Sequence, residues 1–176
     1  MPRLALYTFG VLKAPLADPA PIVREFHERG EAVYRGIGGH AGYLGRAEPA
    51  EGARGDLFEL DWGAWGEFAV PGWYGKGRTA DTTALAATLS LWTGLEAAFD
   101  AVYGGPHREA LNRRYDWFER TGHPGYVFWW VPDGVTPTWR DGVLRLEHLH
   151  GRGRAPYAFD FRGFFTPEGD PVRVRT

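Results

Sequence analysis

The chain has 176 residues, 44% of them hydrophobic, a formal net charge of −2 and no cysteine. That is enough apolar chain for one cored domain and too little for two ordinary ones. The mild acidity argues against a phosphate-binding surface, which needs a clustered basic excess, and the missing cysteine removes disulfide scaffolds and thiolate metal or nucleophile sites.

Leu4 to Val11 alternates in the manner of a strand and is closed by Lys13-Ala14-Pro15. A helix is expected from Asp18, with Pro21 in its first turn, Ile22, Phe26, Val33 and Ile37 near helical spacing, and an end at Gly38-Gly39. His40 to Leu44 reads as a short second strand. Residues 48–78 lose any clean period and gather Phe58, Trp62, Trp65, Phe68, Trp73 and Tyr74 among acids, glycines and prolines. A loop-rich insert of that length is expected to be a lid, a subunit contact or a surface loop.

Thr83 to Leu91 is the expected third strand. Thr93 should cap a helix running through Val102, Gly104-Gly105 should break it, and a further helix should run from Pro106 to about Arg120. Tyr126 to Val131, almost wholly aromatic or β-branched, reads as a fourth strand covered on both faces. A last helix is expected with Thr136 as cap, Pro137 in the first turn, Val143, Leu144 and Leu146 facing inward, and Gly151-Arg152-Gly153 ending it; Ala158 to Phe165 would form an edge strand. This order is that of an α+β fold, a ferredoxin-like antiparallel sheet with helices on one face. One domain over 1–165 and a tail at 166–176 follow. The start Met1-Pro2-Arg3 lacks the apolar run of a secretory signal, and no window approaches a membrane span of about 20 apolar residues. A cytoplasmic protein with neither membrane nor nucleic-acid partner is expected.

The strings Leu12-Lys13-Ala14-Pro15, Leu91-Trp92, Val102-Tyr103 with His107-Arg108-Glu109, Arg113-Arg114 with Trp117-Phe118, Trp129-Trp130-Val131-Pro132 and Pro156-Tyr157-Ala158-Phe159 resemble a bacterial domain-of-unknown-function family, number 3291, of the dimeric α/β-barrel superfamily. The resemblance covers roughly Leu4 to Arg162 outside the insert. It implies a homodimer in which two sheets pair into a barrel. Similar folds host cofactor-free monooxygenases, lactone isomerases, polyketide cyclases and haem enzymes, so the fold alone does not fix the reaction. Where the resemblance leads one to expect Asn, this chain has Thr8, Tyr34 and Thr88.

His107 opens a helix beside the third strand, and an imidazole can act there as base, proton shuttle or metal ligand. Arg114, seven residues on, would fall two turns along the same face, placed to hold a carboxylate or enolate oxygen. Eight tryptophans are many for packing alone, and Trp92, Trp117, Trp129 and Trp130, with Tyr103, are candidate walls for an apolar ligand. Parity puts Trp129 and Trp130 on opposite faces, so one of them can line the interior. Tyr7 and Thr8 are likewise opposed, and the inward one would donate a hydroxyl. His148 and His150, two apart on a helix, point to different sides, and no metal-binding spacing is present. The expectation is a small homodimeric enzyme acting on an apolar, aromatic or polyketide-like metabolite by proton transfer, with oxygenation, isomerisation or cyclisation as outcome. No motif demands a cofactor. The alternatives are a haem protein with His107 as axial ligand, as the resemblance allows, and a non-catalytic ligand-binding protein.

Overall fold

In the computed structural model, which describes residues 1–75 and 80–172, the alternating N-terminal segment forms β1 (Arg3–Val11) at the centre of a four-stranded antiparallel sheet. Residues 76–78 of the expected insert and 173–176 of the tail lie outside the described residues. The remaining strands are β2 (Tyr43–Arg46), β3 (Leu85–Trp92) and β4 (Tyr126–Val131), in the spatial order β2-β3-β1-β4. Tyr7 stands opposite Leu89 on β3 and Val127 on β4, which fixes the register on both sides. That order, with a helical crossover between β1 and β2 and another between β3 and β4, is the ferredoxin-like plan.

Strand parity divides the apolar residues into two cores. Leu4, Leu6, Trp92 and Phe128 point to one side, where Ile37 of α1 (Pro21–Gly38) and Ala98 and Val102 of α2 (Leu95–Tyr103) meet them. Ala5, Tyr7, Phe9, Leu89, Val127 and Trp129 point to the other. That side is covered by Trp139, Val143, Leu146 and Leu149 of α5 (Trp139–Arg152) and by Phe58, Trp62, Phe68 and Val70 of the insert. Helices therefore lie on both faces, not on one. The cause is the amphipathic stripe of α5, whose four large side chains each gain about 1.5–3 kcal/mol by leaving water and find an equally apolar sheet face. The face that a barrel would offer to a second subunit is thus covered from within the chain.

The insert is cover rather than a free surface loop. Trp62 and Phe68 meet the Trp139 ring edge-on at 5.0 and 4.9 Å between centroids, and Gly63 and Gly66, at φ 57° and 75°, bend the chain tightly around the 3-10 turn Gly63–Trp65.

Four local expectations change. The helix after Gly104 stops early: α3 (Gly105–Asn112) ends at Arg113 (φ −106°, ψ 8°), and the single turn α4 (Arg114–Trp117) follows. Arg113 is held there by Glu25 of α1 and, at 2.8 Å, by Asp116, while Trp117 turns into the core. Thr93 makes no cap, since Gly94 precedes α2 without a side-chain bond. In α5 the cap is Thr138, not Thr136: Thr138 and Asp141 form a reciprocal capping box. This start sets the buried stripe at 139, 143, 146 and 149 and leaves Leu144 exposed. The expected edge strand shrinks to Phe159, which exchanges two backbone hydrogen bonds with Phe128; β5 (Phe164–Phe165) then pairs with β6 (Pro171–Val172) as a separate ribbon.

Candidate functional site

Because the stripe of α5 faces the sheet, the residues between its members face outward. Leu144, Glu147, His148, Gly151 and Arg152 form one wall of an open depression of about 590 Å³, and Tyr157 forms the other. The helix ends at Gly153 (φ 81°), a left-handed conformation that suits glycine. The chain then doubles back through a tight turn in which Ala155 and Ala158 exchange backbone hydrogen bonds, anchored by Arg154 on Asp160. The turn lays Tyr157 edge-on to His148, 5.0 Å between ring centroids. Behind it the Arg145 guanidinium sits over both Tyr157 (4.4 Å) and the buried Trp129 (4.9 Å), a cation–π bridge that ties the turn to the sheet. Glu147 accepts a hydrogen bond from the Gly72 backbone N–H at 2.7 Å.

The depression thus gathers an imidazole, a carboxylate, a guanidinium and a phenol on a mainly apolar wall, and its volume falls within the range of small-molecule sites, about 300–1,000 Å³. An imidazole can move protons near neutrality and a guanidinium can hold an anionic oxygen. Among the described residues, no group of three or more His, Asp or Glu is placed to hold a metal ion. The sequence signal for this site is the i, i+2 spacing of the two histidines: His148 does point away from His150, and it follows Glu147 on the side opposite the apolar stripe.

The residues singled out from the sequence lie elsewhere and apart. His107 is half-buried at the elbow between α2 and α3, where its Nδ1–H donates to the Val102 carbonyl at 2.9 Å, which leaves Nε2 bare in the neutral ring. Burial holds this imidazole below its ordinary pKa, and the bond to Val102 works in the other direction. Arg114 lies beyond the helix break, so the projection of the two onto one face does not hold; it is exposed, donates to Leu111 O at 2.7 Å and stacks on Tyr115. Neither lines the α5 depression.

Trp92 is buried and donates to Ser90 Oγ at 2.9 Å. Trp130, on the same face, donates to the Phe165 carbonyl at 2.7 Å. Trp129 looks the other way, towards α5. Trp117 is buried beside Phe26 at a notch of about 30 Å³ between β1 and α1. Tyr103 is exposed and packs on Phe99 and Phe161. Thr8 and Thr88, two of the positions where Asn was expected, are cross-strand partners that share a 2.6 Å hydroxyl hydrogen bond; Tyr34, the third, lies under the Arg46 guanidinium. Tyr7 is completely buried, its hydroxyl has no hydrogen-bond partner among the described residues, and burial pushes its pKa far up, so it stays protonated.

Fold and site together define an α+β protein with a ferredoxin-like sheet and a small-molecule-sized depression beside its last helix. The chain belongs to the family described as Domain of unknown function (DUF3291), which matches residues 3–175. No curated protein matches the chain, and no solved structure matches it. No helix among the described residues is long and apolar enough to cross a membrane.

Proposed function

We propose that the protein is a small-molecule enzyme that holds an apolar, aromatic or polyketide-like metabolite in the α5 depression and moves a proton on it. The observation that carries this reading is the convergence of His148, Glu147, Arg152 and Tyr157 on one concave surface. His148 serves as the base, Arg152 holds the oxygen on which negative charge develops, and Tyr157 with Leu144 supplies the apolar contact. An open depression does not exclude water, which favours isomerisation or cyclisation over oxygenation, whose reactive intermediates need a dry site. A homodimer belongs to the same proposal. It would pair away from the covered sheet face, for example along the free edge of β2, where Leu44 is exposed.

The test is exchange of the α-protons of 2-tetralone, an aromatic ketone, for deuterium, followed by NMR. Wild type should accelerate exchange over buffer, and His148→Gln should lower the acceleration by about 10²-fold while tetralone binding persists. Exchange unaffected by His148→Gln would overturn the catalytic assignment. Binding without any acceleration would support the non-catalytic alternative, which the openness of the site also favours.

Haem is the other alternative, and His107 offers it one bare nitrogen. The residues around do not otherwise fit the group: the space between sheet and helices that a porphyrin would occupy is filled by Trp92, Phe128 and Phe159, each at most 1% exposed. A Soret band in protein mixed with hemin, removed by His107→Ala, would reverse that judgement.

A further inference from the structure

The core under the insert contains two hydrogen-bond donors with no acceptor among the described residues. Tyr7 is 0% and Trp139 1% exposed. Neither the Tyr7 hydroxyl nor the Trp139 Nε1 has a hydrogen-bond partner among the described residues, and the two rings meet edge to face at 6.2 Å between centroids. A buried polar group left unpaired is costly, so two of them on rings that touch mark a place where an acceptor belongs. The cover above them is of an unusual kind. Trp62 and Phe68, which press on the Trp139 ring, come from irregular chain that carries hydrogen bonds of its own: Ala50 N to Asp61 O, Glu59 N to Asp56 O, and Trp62 Nε1 to Leu57 O. Such a segment can lift as a unit without breaking the sheet ladders, and local opening of this sort takes less free energy than global unfolding.

We propose that the insert hides a second binding site, in which the Tyr7 hydroxyl and the Trp139 indole N–H donate to one carbonyl oxygen of an aromatic ketone or aldehyde whose ring takes the place of Trp62 and Phe68. The donor pair is neutral, because the buried phenol keeps its proton, so it suits a carbonyl better than a carboxylate, whose charge would enter the core without a counterion. Gly142 defines the closed end of the site: a Cβ there would sit 2.5 Å from the Tyr7 ring, so the ligand enters from the insert side. The site is one that its ligand makes dominant, and it uses none of the groups of the α5 depression.

The probe is acetophenone, added to the full chain while the indole N–H resonances are followed by NMR; the Trp139 signal is the one missing from Trp139→Phe. It should shift saturably, amide deuterium exchange over residues 50–65 should rise at saturation, and Tyr7→Phe, which keeps the ring and its packing, should weaken binding about tenfold. A Trp139 signal that stays still up to the solubility limit would overturn the proposal. So would equal binding by Tyr7→Phe, or unchanged exchange over 50–65, either of which would mean that the hydroxyl serves a trapped water or nothing and that acetophenone binds elsewhere.

Discussion

The two faces of the sheet obtain their cover from different kinds of chain. The first is covered by α1 and α2, which are the crossovers of the fold itself, Ala98 and Val102 being the buried residues of α2, and by the aromatic residues that follow α5, Phe159, Phe161, Phe164 and Phe165. The second has no crossover to cover it, and the chain supplies a late helix and an irregular insert instead. Irregular backbone cannot present a regular stripe, so its few contact points have to be large: Phe58, Trp62, Phe68 and the Trp139 on which they converge. The aromatic residues of the insert that suggested a ligand pocket are therefore, in Phe58, Trp62 and Phe68, the means of covering a sheet with a loop.

If that contrast is right, the second face should be the more sensitive to single changes. Trp139→Ala should cost about 3–5 kcal/mol and release the insert, read by urea unfolding and by deuterium exchange over 50–70, whereas Val102→Ala on the first face should cost about 2 kcal/mol. Equal losses would break the comparison. Gly142→Ala sharpens it: in an exposed helix the change would gain about 1 kcal/mol, but against the Tyr7 ring it should cost about 1–3 kcal/mol from overpacking, visible as a lowered melting temperature.

The smallest effect belongs to His107 on the first face. Its folded pKa is lowered by burial, so the unfolded chain takes up a proton first, and stability present above the ordinary histidine value is lost as pH falls through that value towards the folded one. Urea midpoints from about pH 7.5 to about pH 5 should fall, and His107→Gln should flatten that decline; an unchanged slope would show that the elbow contributes none of it.

What could be read from the residues was whatever is periodic. The alternation of β1 and β4 and the opposite orientations of Trp129 and Trp130 follow from parity, and α1 ends at Gly38 as expected, although Gly39 at φ −87° takes no left-handed cap. The break at Arg113 did not announce itself, because Asn112-Arg113-Arg114 contains no breaker; tertiary demands, the pairing of Arg113 with Glu25 and the burial of Trp117, override local propensity there. With that break went the projected pairing of His107 with Arg114. The insert was opaque for a different reason: its packing is set by residues far along the chain, Trp139 and Glu147, which no window around it contains. The orientation of His148 follows from its spacing, but its site does not, since only the doubling back of the chain to Tyr157 makes its surroundings concave.

The segment after α5 has a consequence for the order of events at the ribosome. α5 lies on one side of the sheet, Phe159 sits at the edge of β4, and Phe161, Phe164 and Phe165 pack on the other side. All four strands have been synthesised once Val131 is added, yet the second side lacks α5 until Arg152 has followed, and the first lacks its last aromatic cover until Phe165. A nascent chain in that interval displays a sheet whose apolar faces are only partly covered, the kind of surface that recruits chaperones or aggregates. Premature termination anywhere between the last strand and that final aromatic group therefore yields a sticky polypeptide rather than a smaller working domain.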